Sequence, residues 1–352
     1  MESDFWRGKK VYVTGLAGFK GCWLGMSLLE KGATVKGVSI DAPSDWLFSR
    51  VGLDQHVEFS IGDIRDQSLI RQHLAEFQPD IVFHLAAQPL VRRSYSDPID
   101  TISHNVLGTA TVLQACREVD SLGALVCVTS DKVYENNEWV YSYRETDALG
   151  GADPYSASKA CTEIVASSFF RSFFQSNSVG FTTVRAGNVI GGGDWSEDRL
   201  IPDFFRSRAS NTTLTIRNPA STRPWQHVME PINGYIKAAE KSFETGLFDS
   251  FNFGPKSGAV VSVESLLNEF CQNMDDAPRI EYQESDFHEA GRLGVVSEKA
   301  LHKLGWSPRW GLTTTVAKTV DGYLALDDEK NPLDFFVSQI KAYERESFDH
   351  GA

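Results

Sequence analysis

The chain has 352 residues, which is enough to bury one large hydrophobic core or two unequal ones. Its 47 acidic and 34 basic residues give a formal net charge of −13, which argues against nucleic acid or an anionic membrane as a partner. We expect a cytoplasmic protein, because the N-terminus does not read as a signal peptide and no run approaches about 18 apolar residues. The five cysteines are scattered without metal-type spacing, so we expect reduced thiols that pack in the core and no metal site.

The first half of the chain alternates short β-rich runs with helical patterns. The runs are residues 10–14, 34–40, 57–61, 81–85 and 124–129, with a sixth at 180–185. This alternation predicts a Rossmann-type α/β fold, a doubly wound parallel sheet with helices on both faces. A long helix should begin near Asp153, which can cap it, with Pro154 in its first position.

After Gly187 the alternation gives way to glycine-rich turns and short elements, which predict a smaller mixed lobe. We therefore predict a dinucleotide-binding domain over residues 1–187, to which residues 235–255 return. Residues 188–234 and 256–330 would form a substrate-binding lobe. Residues 331–352 would form a C-terminal helix, opened by Pro332, and a polar tail.

Three glycines, Gly15, Gly18 and Gly21, lie between the first predicted strand and the first helix. Glycine is required where backbone approaches a pyrophosphate and where a helix packs closely on a strand. Asp41 follows the second strand, where a carboxylate accepts the ribose hydroxyls and repels a 2′-phosphate. The two residues after it carry no cation, so the pattern favours NAD over NADP. The dipeptide Asp63-Ile64 follows the third strand, where it can contact the adenine.

Two further groups of residues carry chemistry. Tyr155 and Lys159 are four residues apart and share one helix face, so the ammonium should lower the tyrosine pKa and let the phenolate accept a hydroxyl proton. Ser130 ends the fifth strand, where its hydroxyl can bridge a substrate hydroxyl and Tyr155. Asp131 and Lys132 follow directly, and place an acid and an amine side by side.

These residues stand in motifs that resemble the extended short-chain dehydrogenase/reductase family over residues 5–312. Within that family the chain is similar to the nucleotide-sugar 4,6-dehydratases, and to the branch that acts on CDP-glucose. The motifs are the segments 14–21, 84–92, 94–95, 105–109, 129–134, 143–145, 150–159, 185–195 and 223–228. Relatives that act on dTDP-glucose carry Asp-Glu at the position of Asp131-Lys132, and 4-epimerases carry small or uncharged residues there.

The resemblance implies a carbon–oxygen lyase that works in three stages. Tyr155 would deprotonate the glucose 4-hydroxyl while NAD accepts hydride from C4. Asp131 would then protonate the departing C6 hydroxyl while Lys132, in its neutral form, takes the C5 proton. Hydride returned to C6 would give CDP-4-keto-6-deoxyglucose. Lys132 could instead be a charged structural partner of Asp131.

The resemblance also implies which residues hold the cofactor and the substrate. The cofactor residues are Gly15, Gly18, Phe19, Lys20, Gly21, Asp41, Asp63, Ile64, Leu85, Ala86, Ala87, Gln88, Asn105, Thr129, Tyr155 and Lys159. The substrate residues are Gln88, Arg92, Ser130, Asn188, Arg199, Leu200, Arg217, Arg223 and Arg292. Arg223 resembles an arginine that binds the pyrophosphate, and the segment 198–202 resembles a loop that closes over the base.

One segment departs from the family pattern. The family has an aspartate where this chain has Val296, and glycines stand at Gly291 and Gly294. Arg292 is expected to replace a phosphate contact there. This makes the cytidine preference a weaker inference than the chemistry.

Three other readings remain open at this stage. They are a 4-epimerase, a dehydratase for another nucleotide hexose, and a non-catalytic NAD-dependent sensor or scaffold. The Asp131-Lys132 pair argues against epimerisation, and the intact tyrosine, lysine and glycines argue against a sensor.

The resemblance further implies a homodimer or a tetramer, formed through the helix with Tyr155 and the helix before the fifth strand. Val112, Ala115, Val165 and Phe169 are expected to line that interface. The product of such enzymes commonly enters deoxysugar biosynthesis for surface polysaccharide such as O-antigen.

Overall fold

The computed structural model describes residues 4–255, 261–283, 293–327 and 332–346. The strands are β1 (Lys10–Thr14), β2 (Thr34–Ser39), β3 (Glu58–Ile61), β4 (Ile81–His84), β5 (Ala124–Val128), β6 (Gly180–Ala186), β7 (Val189–Ile190), β8 (Leu214–Ile216), β9 (Thr222–Arg223), β10 (Gln226–His227), β11 (Phe248–Phe253), β12 (Val261–Ser262) and β13 (Ile280–Tyr282). Seven of them form one parallel sheet in the order β11-β6-β5-β4-β1-β2-β3. The predicted fold class is confirmed, and β11 is the predicted return to the sheet.

Helices cover both faces of this sheet. They are α1 (Phe19–Glu30), α2 (Leu47–Arg50), α3 (Gln67–Phe77), α4 (Val91–Ser96), α5 (Pro98–Ile102), α6 (Gly108–Cys116), α7 (Pro154–Phe169), α8 (Leu200–Ser210), α9 (Met229–Thr245), α10 (Val263–Gln272), α11 (Glu298–Leu304), α12 (Leu312–Asp327) and α13 (Pro332–Arg345). Alternate residues of one strand enter different cores, because successive side chains of a strand point to opposite faces. Val11 and Val13 belong to one core, and Tyr12 to the other.

The strand order places the site. After β3 the chain returns to the other side of β1 and forms β4, so the direction of the strand order reverses between β1 and β4. A crevice forms at the carboxyl ends of the strands at such a switch point. Helix α7 connects β5 to β6 and starts as the sequence predicts. Asp153 accepts a hydrogen bond from the backbone N–H of Ser156 at 2.9 Å, and Pro154 is the first helical residue.

Three two-stranded pairs, β10-β7, β12-β9 and β13-β8, lie in the part of the chain after Gly187. A third core packs there, in which the rings of Phe205 and Tyr323 stack with their centroids 3.7 Å apart. This arrangement is compatible with a smaller lobe, and the domain boundaries given above stay a prediction.

Two expectations about packing are wrong. Cys161 is exposed and Cys271 is half-buried, so the cysteines do not all pack in the core. Val112 and Ala115 are fully buried inside the protomer core, because α6 turns that face towards the sheet, and they cannot line an interface. Within the described ranges, no helix is long and apolar enough to span a bilayer.

Candidate active site

The glycine loop between β1 and α1 is bare backbone held close to its neighbours. Gly15 has φ of +76°, and a side chain there would bring its Cβ within 2.8 Å of the backbone nitrogen of Ala86. A Cβ on Gly21 would overlap the carbonyl oxygen of Gly15. Gly18 caps α1 without a side chain. The loop thus presents main-chain N–H groups at a helix N-terminus, which is the arrangement that a pyrophosphate requires.

The positions predicted for the adenosine half lie beyond β2 and β3. Asp41 is exposed two residues after β2 ends. The Asp63 carboxylate already bonds Arg65, whose guanidinium lowers the pKa of Asp63. Ile64 is buried against Gly108, and a Cβ added to Gly108 would lie 2.5 Å from Ile64 Cδ1.

Beyond β4, Asn105 fixes the backbone that lines the crevice. It lies in a π-helical turn, Ser103–Leu107, between α5 and α6. Its side chain accepts from the backbone N–H of Gln88 at 2.8 Å and donates to Ser158 Oγ of α7 at 2.8 Å. Asn105 therefore joins two predicted site segments, while Leu85, Ala86 and Ala87 remain partly exposed. The Gln88 amide is engaged by Leu90 and Thr101.

A buried histidine continues this framework. His84 bonds Thr14 Oγ1 at 2.7 Å through Nδ1 and Thr109 Oγ1 at 2.9 Å through Nε2. Burial, and then the charge of Lys159, lower the pKa of His84 to about 3, so it is neutral at physiological pH. It ties β1, β4 and α6 together beneath the crevice.

Tyr155 and Lys159 lie on one buried face of α7, as predicted. Lys159 Nζ donates to the carbonyl oxygen of Val128 at 3.3 Å, and burial lowers the Lys159 pKa to about 8. Burial also raises the pKa of Tyr155 to about 12, although a hydrogen bond with Ser130 and the charge of Arg199 act against it. The predicted lowering of the Tyr155 pKa is thus wrong for this structure, because desolvation of the phenolate outweighs the nearby cations.

Ser130, Asp131 and Lys132 form a tight turn at the end of β5. The Ser130 hydroxyl donates to Asp131 Oδ1 at 3.1 Å and accepts from the Lys132 backbone N–H at 3.2 Å. Asp131 is 4% exposed, and burial raises its pKa although Lys132 and Lys20 oppose the shift. Its Oδ2 has no hydrogen-bond partner within the described part of the chain. Asp131 is therefore suited to carry a proton, and Lys132 is half-buried beside it.

One turn after Lys159, Glu163 anchors α7 to the sheet. Glu163 and Arg185 form a fully buried ion pair with two parallel bonds of 2.8 and 2.9 Å. The hydroxyls of Thr129 and Thr183 donate to the same carboxylate at 2.5 and 2.6 Å. Thr129, the residue before Ser130, is thus fixed to the helix that carries Tyr155.

The predicted substrate residues fall into different environments. Arg199 pairs with buried Asp194 at 3.0 Å, and Arg223 is 9% exposed with its charge acting on Asp131. Arg92 is exposed and pairs with Asp198 at 2.7 Å. The remaining positions are Asn188, whose carbonyl accepts from Gln226, Leu200 at the start of α8, and exposed Arg217 beyond β8. Arg292 and Gly291 lie outside the described residues.

The charges of Arg199, Asp131, Lys159 and Asp194 all act on Lys20, which places its amine on the catalytic side of the loop. The burial of Lys20 is the largest cause that lowers its pKa, to about 8. The crevice therefore gathers Lys20, Asp131, Tyr155, Lys159, Arg199 and Arg223.

Sequence reasoning missed two side chains at this site. Glu163 could have been found, since it follows Lys159 by one helical turn on the same face. Tyr235 of α9 could not, because an aromatic residue on the inner face of an amphipathic helix is typical of any core.

Comparisons with known proteins identify the family of the chain. The GDP-mannose 4,6-dehydratase family matches residues 12–319. The CDP-glucose 4,6-dehydratase of Salmonella typhimurium is 49% identical over 334 residues, which cover 92% of this chain and 93% of that protein. The dTDP-glucose 4,6-dehydratase of Xanthomonas campestris is 28% identical, over 89% of this chain and 92% of its own length.

Solved structures agree on the fold. The UDP-glucose 4-epimerase of Thermotoga maritima, solved with UDP-glucose, superimposes with a TM-score of 0.80 at 22% identity and covers 90% of this chain and 98% of its own. The UDP-glucose 4-epimerase of Stenotrophomonas maltophila, solved with NAD and a formylated UDP-arabinopyranose, gives 0.81 at 21% identity, over 91% of this chain and 99% of its own. The chain belongs to the GDP-mannose 4,6-dehydratase family of nucleotide-sugar enzymes.

Proposed function

We propose that this protein is an NAD-dependent 4,6-dehydratase that converts CDP-glucose to CDP-4-keto-6-deoxyglucose. The observation that carries the proposal is the buried Asp131, next to Lys132 and Ser130, in the crevice that also holds Tyr155 and Lys159. The similarity to the Salmonella CDP-glucose 4,6-dehydratase supports the substrate. A 4-epimerase needs oxidation and reduction at C4 only, so a buried acid beside an amine would have no task there.

The glycine loop fits the proposed cofactor, because side chains at Gly15 or Gly21 would clash with neighbouring backbone and disturb the close turn whose N–H groups would meet a pyrophosphate at the start of α1. Bound NAD supplies the hydride acceptor for the first stage and the hydride donor for the last. Asp41 would bind the ribose hydroxyls next to the adenine, and Lys159 those next to the nicotinamide. Asp63 and Ile64 would border the adenine.

In the oxidation stage Tyr155 takes the proton of the glucose 4-hydroxyl. Its raised pKa means that the phenolate must be stabilised when the site is loaded, and Ser130 and Arg199 already act in that direction. Ser130 can also hold the substrate hydroxyl, since its own hydroxyl lies between Tyr155 and Asp131.

In the elimination stage the C4 ketone makes the C5 proton acidic. Asp131 gives its proton to the C6 oxygen, the C6–O bond breaks and water leaves, while Lys132 takes the proton from C5, a role for which its amine must first be deprotonated. The raised pKa of Asp131 keeps the carboxyl group protonated closer to neutral pH, as this role requires. Return of the hydride to C6 and of the proton on Lys132 to C5 would then give a product that differs from the substrate by one water.

Arginines close to the crevice would bind the nucleotide. A nucleoside diphosphate brings two negative charges, and Arg199 and Arg223 are partly desolvated cations that can meet them. Arg92 would have to exchange its bond to Asp198 for a phosphate. Arg217, Asn188 and Leu200 stay candidate substrate contacts from the family resemblance.

We also propose a homodimer in the cytoplasm, acting in deoxysugar biosynthesis for surface polysaccharide such as O-antigen. A face of α5, the following π turn and α7 exposes Ile99, Leu107 and Ile164, which are 75%, 59% and 58% exposed. Exposed apolar residues in such a group are typical of a surface that another protein covers. Val165 and Phe169 border this face, and both are partly buried.

The test is mass spectrometry of the protein after separate incubation with CDP-, dTDP-, UDP- and GDP-glucose, with NAD and without added reductant. We expect loss of one water from CDP-glucose alone and no net reduction of NAD. A Lys132→Met variant should form the 4-ketone but lose water far more slowly. Water loss from another nucleotide sugar would assign a different nucleotide to the substrate. No water loss from any of the four would overturn the proposal.

A further inference from the structure

Tyr235, in the middle of α9, carries a hydroxyl that nothing in the fold explains. Its side chain is fully buried, and its ring packs edge-on against Phe253 at 5.8 Å. Its hydroxyl has no hydrogen-bond partner among the residues that the structure describes. A buried hydroxyl without a partner destabilises a fold, whereas phenylalanine would fill the same space without that cost.

The position of Tyr235 connects it to the crevice. Helix α9 packs against β5 and β6, which end at Val128 and Ala186, shortly before Ser130 and Gly187. After burial, the charges of Tyr155 and Asp131 are the causes that raise the pKa of Tyr235. The Tyr235 ring packs on Phe253, which pairs with Ala186 at the end of β6, and Asp131 Oδ2 lies beside the next residue, Gly187. The hydroxyl is therefore a neutral donor close to Asp131, which gives up its proton in the proposed elimination.

Asp131 offers the matching acceptor. Its Oδ1 is bonded to Ser130, while Oδ2 is buried and unpaired within the same described part of the chain. Oδ2 faces the backbone of Gly187, where a Cβ would lie only 3.3 Å away. Among the described residues, one buried donor and one buried acceptor thus lie unpaired on the same side of the sheet end.

We propose that Tyr235 is a positioning residue for the elimination, whose hydroxyl donates a hydrogen bond to the Asp131 carboxylate once Asp131 has lost its proton. This inference rests on the proposed function. The Asp131 O–H bond breaks, its proton goes to the C6 oxygen, and the C6–O bond breaks with release of water. Tyr235 keeps its own proton throughout.

A neutral donor suits this task better than a further cation. Lys20, Lys132 and Arg223 already act on Asp131 and oppose its protonation. Another positive charge would favour the carboxylate in the resting enzyme and remove the acid. A hydroxyl bonds an ionised oxygen about twice as strongly as a neutral one, so it stabilises Asp131 mainly as the proton leaves.

The test is a Tyr235→Phe variant compared with Tyr12→Phe. Tyr12 is equally buried, but its hydroxyl already bonds His73 Nδ1 at 2.9 Å, on the far side of the sheet. For Tyr235→Phe we expect kcat to fall on the order of ten- to a hundredfold with KM unchanged, and resistance to urea unchanged or greater. Tyr12→Phe should lose stability and keep its kcat.

Single-turnover quenching assigns the stage. We expect Tyr235→Phe to accumulate the 4-ketone that still carries its C6 oxygen, because oxidation proceeds and elimination lags. Slow oxidation without such a ketone would overturn the proposal, since Tyr235 would then act on Tyr155. Unchanged kcat together with greater stability would also overturn the proposal, since the Tyr235 side chain would then only pack in the core. A wild-type protein that releases no water would instead overturn the proposed function.

Discussion

Two regions of the crevice satisfy their buried polar groups in opposite ways. Around α7, the Glu163 carboxylate receives four hydrogen bonds, from Arg185, Thr129 and Thr183. Asp131 Oδ2, just after β5, and the Tyr235 hydroxyl, on α9, have none from the residues that are described. Native proteins rarely leave buried polar atoms unpaired, so such atoms call for a functional explanation.

The difference separates stability from chemistry. The Glu163 region holds Tyr155, Lys159 and Thr129 in fixed positions, and its hydrogen bonds are already formed in the resting fold. The Asp131 region holds polar atoms whose partners arrive with the substrate or appear when a proton moves. Changes in the first region should therefore lower stability, and changes in the second should lower the rate.

Asp131→Asn tests the second half of this comparison and should have the largest effect. Asparagine keeps the shape of the side chain but cannot give a proton to the C6 oxygen. We expect the rate of water loss to fall on the order of a hundred- to ten-thousandfold. The free energy of unfolding should stay the same or rise, because a buried ionisable group is removed.

The measurement is product formation with CDP-glucose together with urea unfolding of the same preparation. Asp276→Asn is a matched control, since Asp276 is exposed and pairs with Arg208 at the surface. An Asp131→Asn protein that is unstable but turns over normally would reverse the comparison.

Arg185→Met tests the first half. It leaves the Glu163 carboxylate buried without its cation, and breaking one partner of such a pair costs about 3–5 kcal/mol. Urea unfolding should show this loss. In Arg71→Met the exposed pair with Glu118 is removed, and the cost should stay within about 1 kcal/mol. Equal costs in the two variants would mean that the buried pair adds no stability to α7.

Gly21→Ala sharpens the comparison at the cofactor loop. The new methyl group would overlap the Gly15 carbonyl oxygen, so α1 must move away from β1. Overpacking of this kind costs about 1–3 kcal/mol, and we expect NAD affinity, measured by calorimetry, to fall as the loop opens. Gly311→Ala is the control, because its Cβ would meet nothing within 4 Å and its φ is not positive. Unchanged NAD affinity in Gly21→Ala would show that NAD binding does not depend on the close packing of the glycine loop.

The sequence was informative wherever function depends on local spacing. The parallel sheet, the Asp153 cap and the helix opened by Pro332 follow from periodicity and capping, and the structure has all three. The glycine loop and the Tyr155–Lys159 face are also local patterns. Each involves residues within a few positions of one another.

What could not be predicted depends on burial and on long-range packing. The direction of the Tyr155 pKa shift was wrong because desolvation is set by α7 and its neighbours together. Val112 and Ala115 look like interface residues on a helix, and only the tertiary structure shows that they face the sheet. That the Tyr235 hydroxyl has no partner among the described residues likewise depends on long-range packing.

The pH dependence of stability tests the buried histidine of the framework. The pKa of His84 is lowered from 6.5 to about 3, chiefly by burial. Between about pH 3 and 6.5, His84 therefore binds a proton in the unfolded chain but not in the folded protein. The contribution of His84 to stability is complete above about pH 6.5 and is lost as the pH falls towards 3, by up to about 1.4 kcal/mol per pH unit.

A His84→Gln variant should lower stability at neutral pH, since the bonds to Thr14 and Thr109 change, but its free energy of unfolding should fall less steeply between pH 6.5 and 4.5. Urea unfolding at several pH values in that range measures the slope. His227, whose pKa burial also lowers to about 3, allows an independent repeat in the same assay. The slope matters more than the stability at any one pH, because it counts protons and is insensitive to the hydrogen bonds that the substitution disturbs. A slope identical to that of the wild type would show that His84 accepts a proton in the folded state, and the framework beneath the crevice would then be more open to water than its hydrogen bonds indicate.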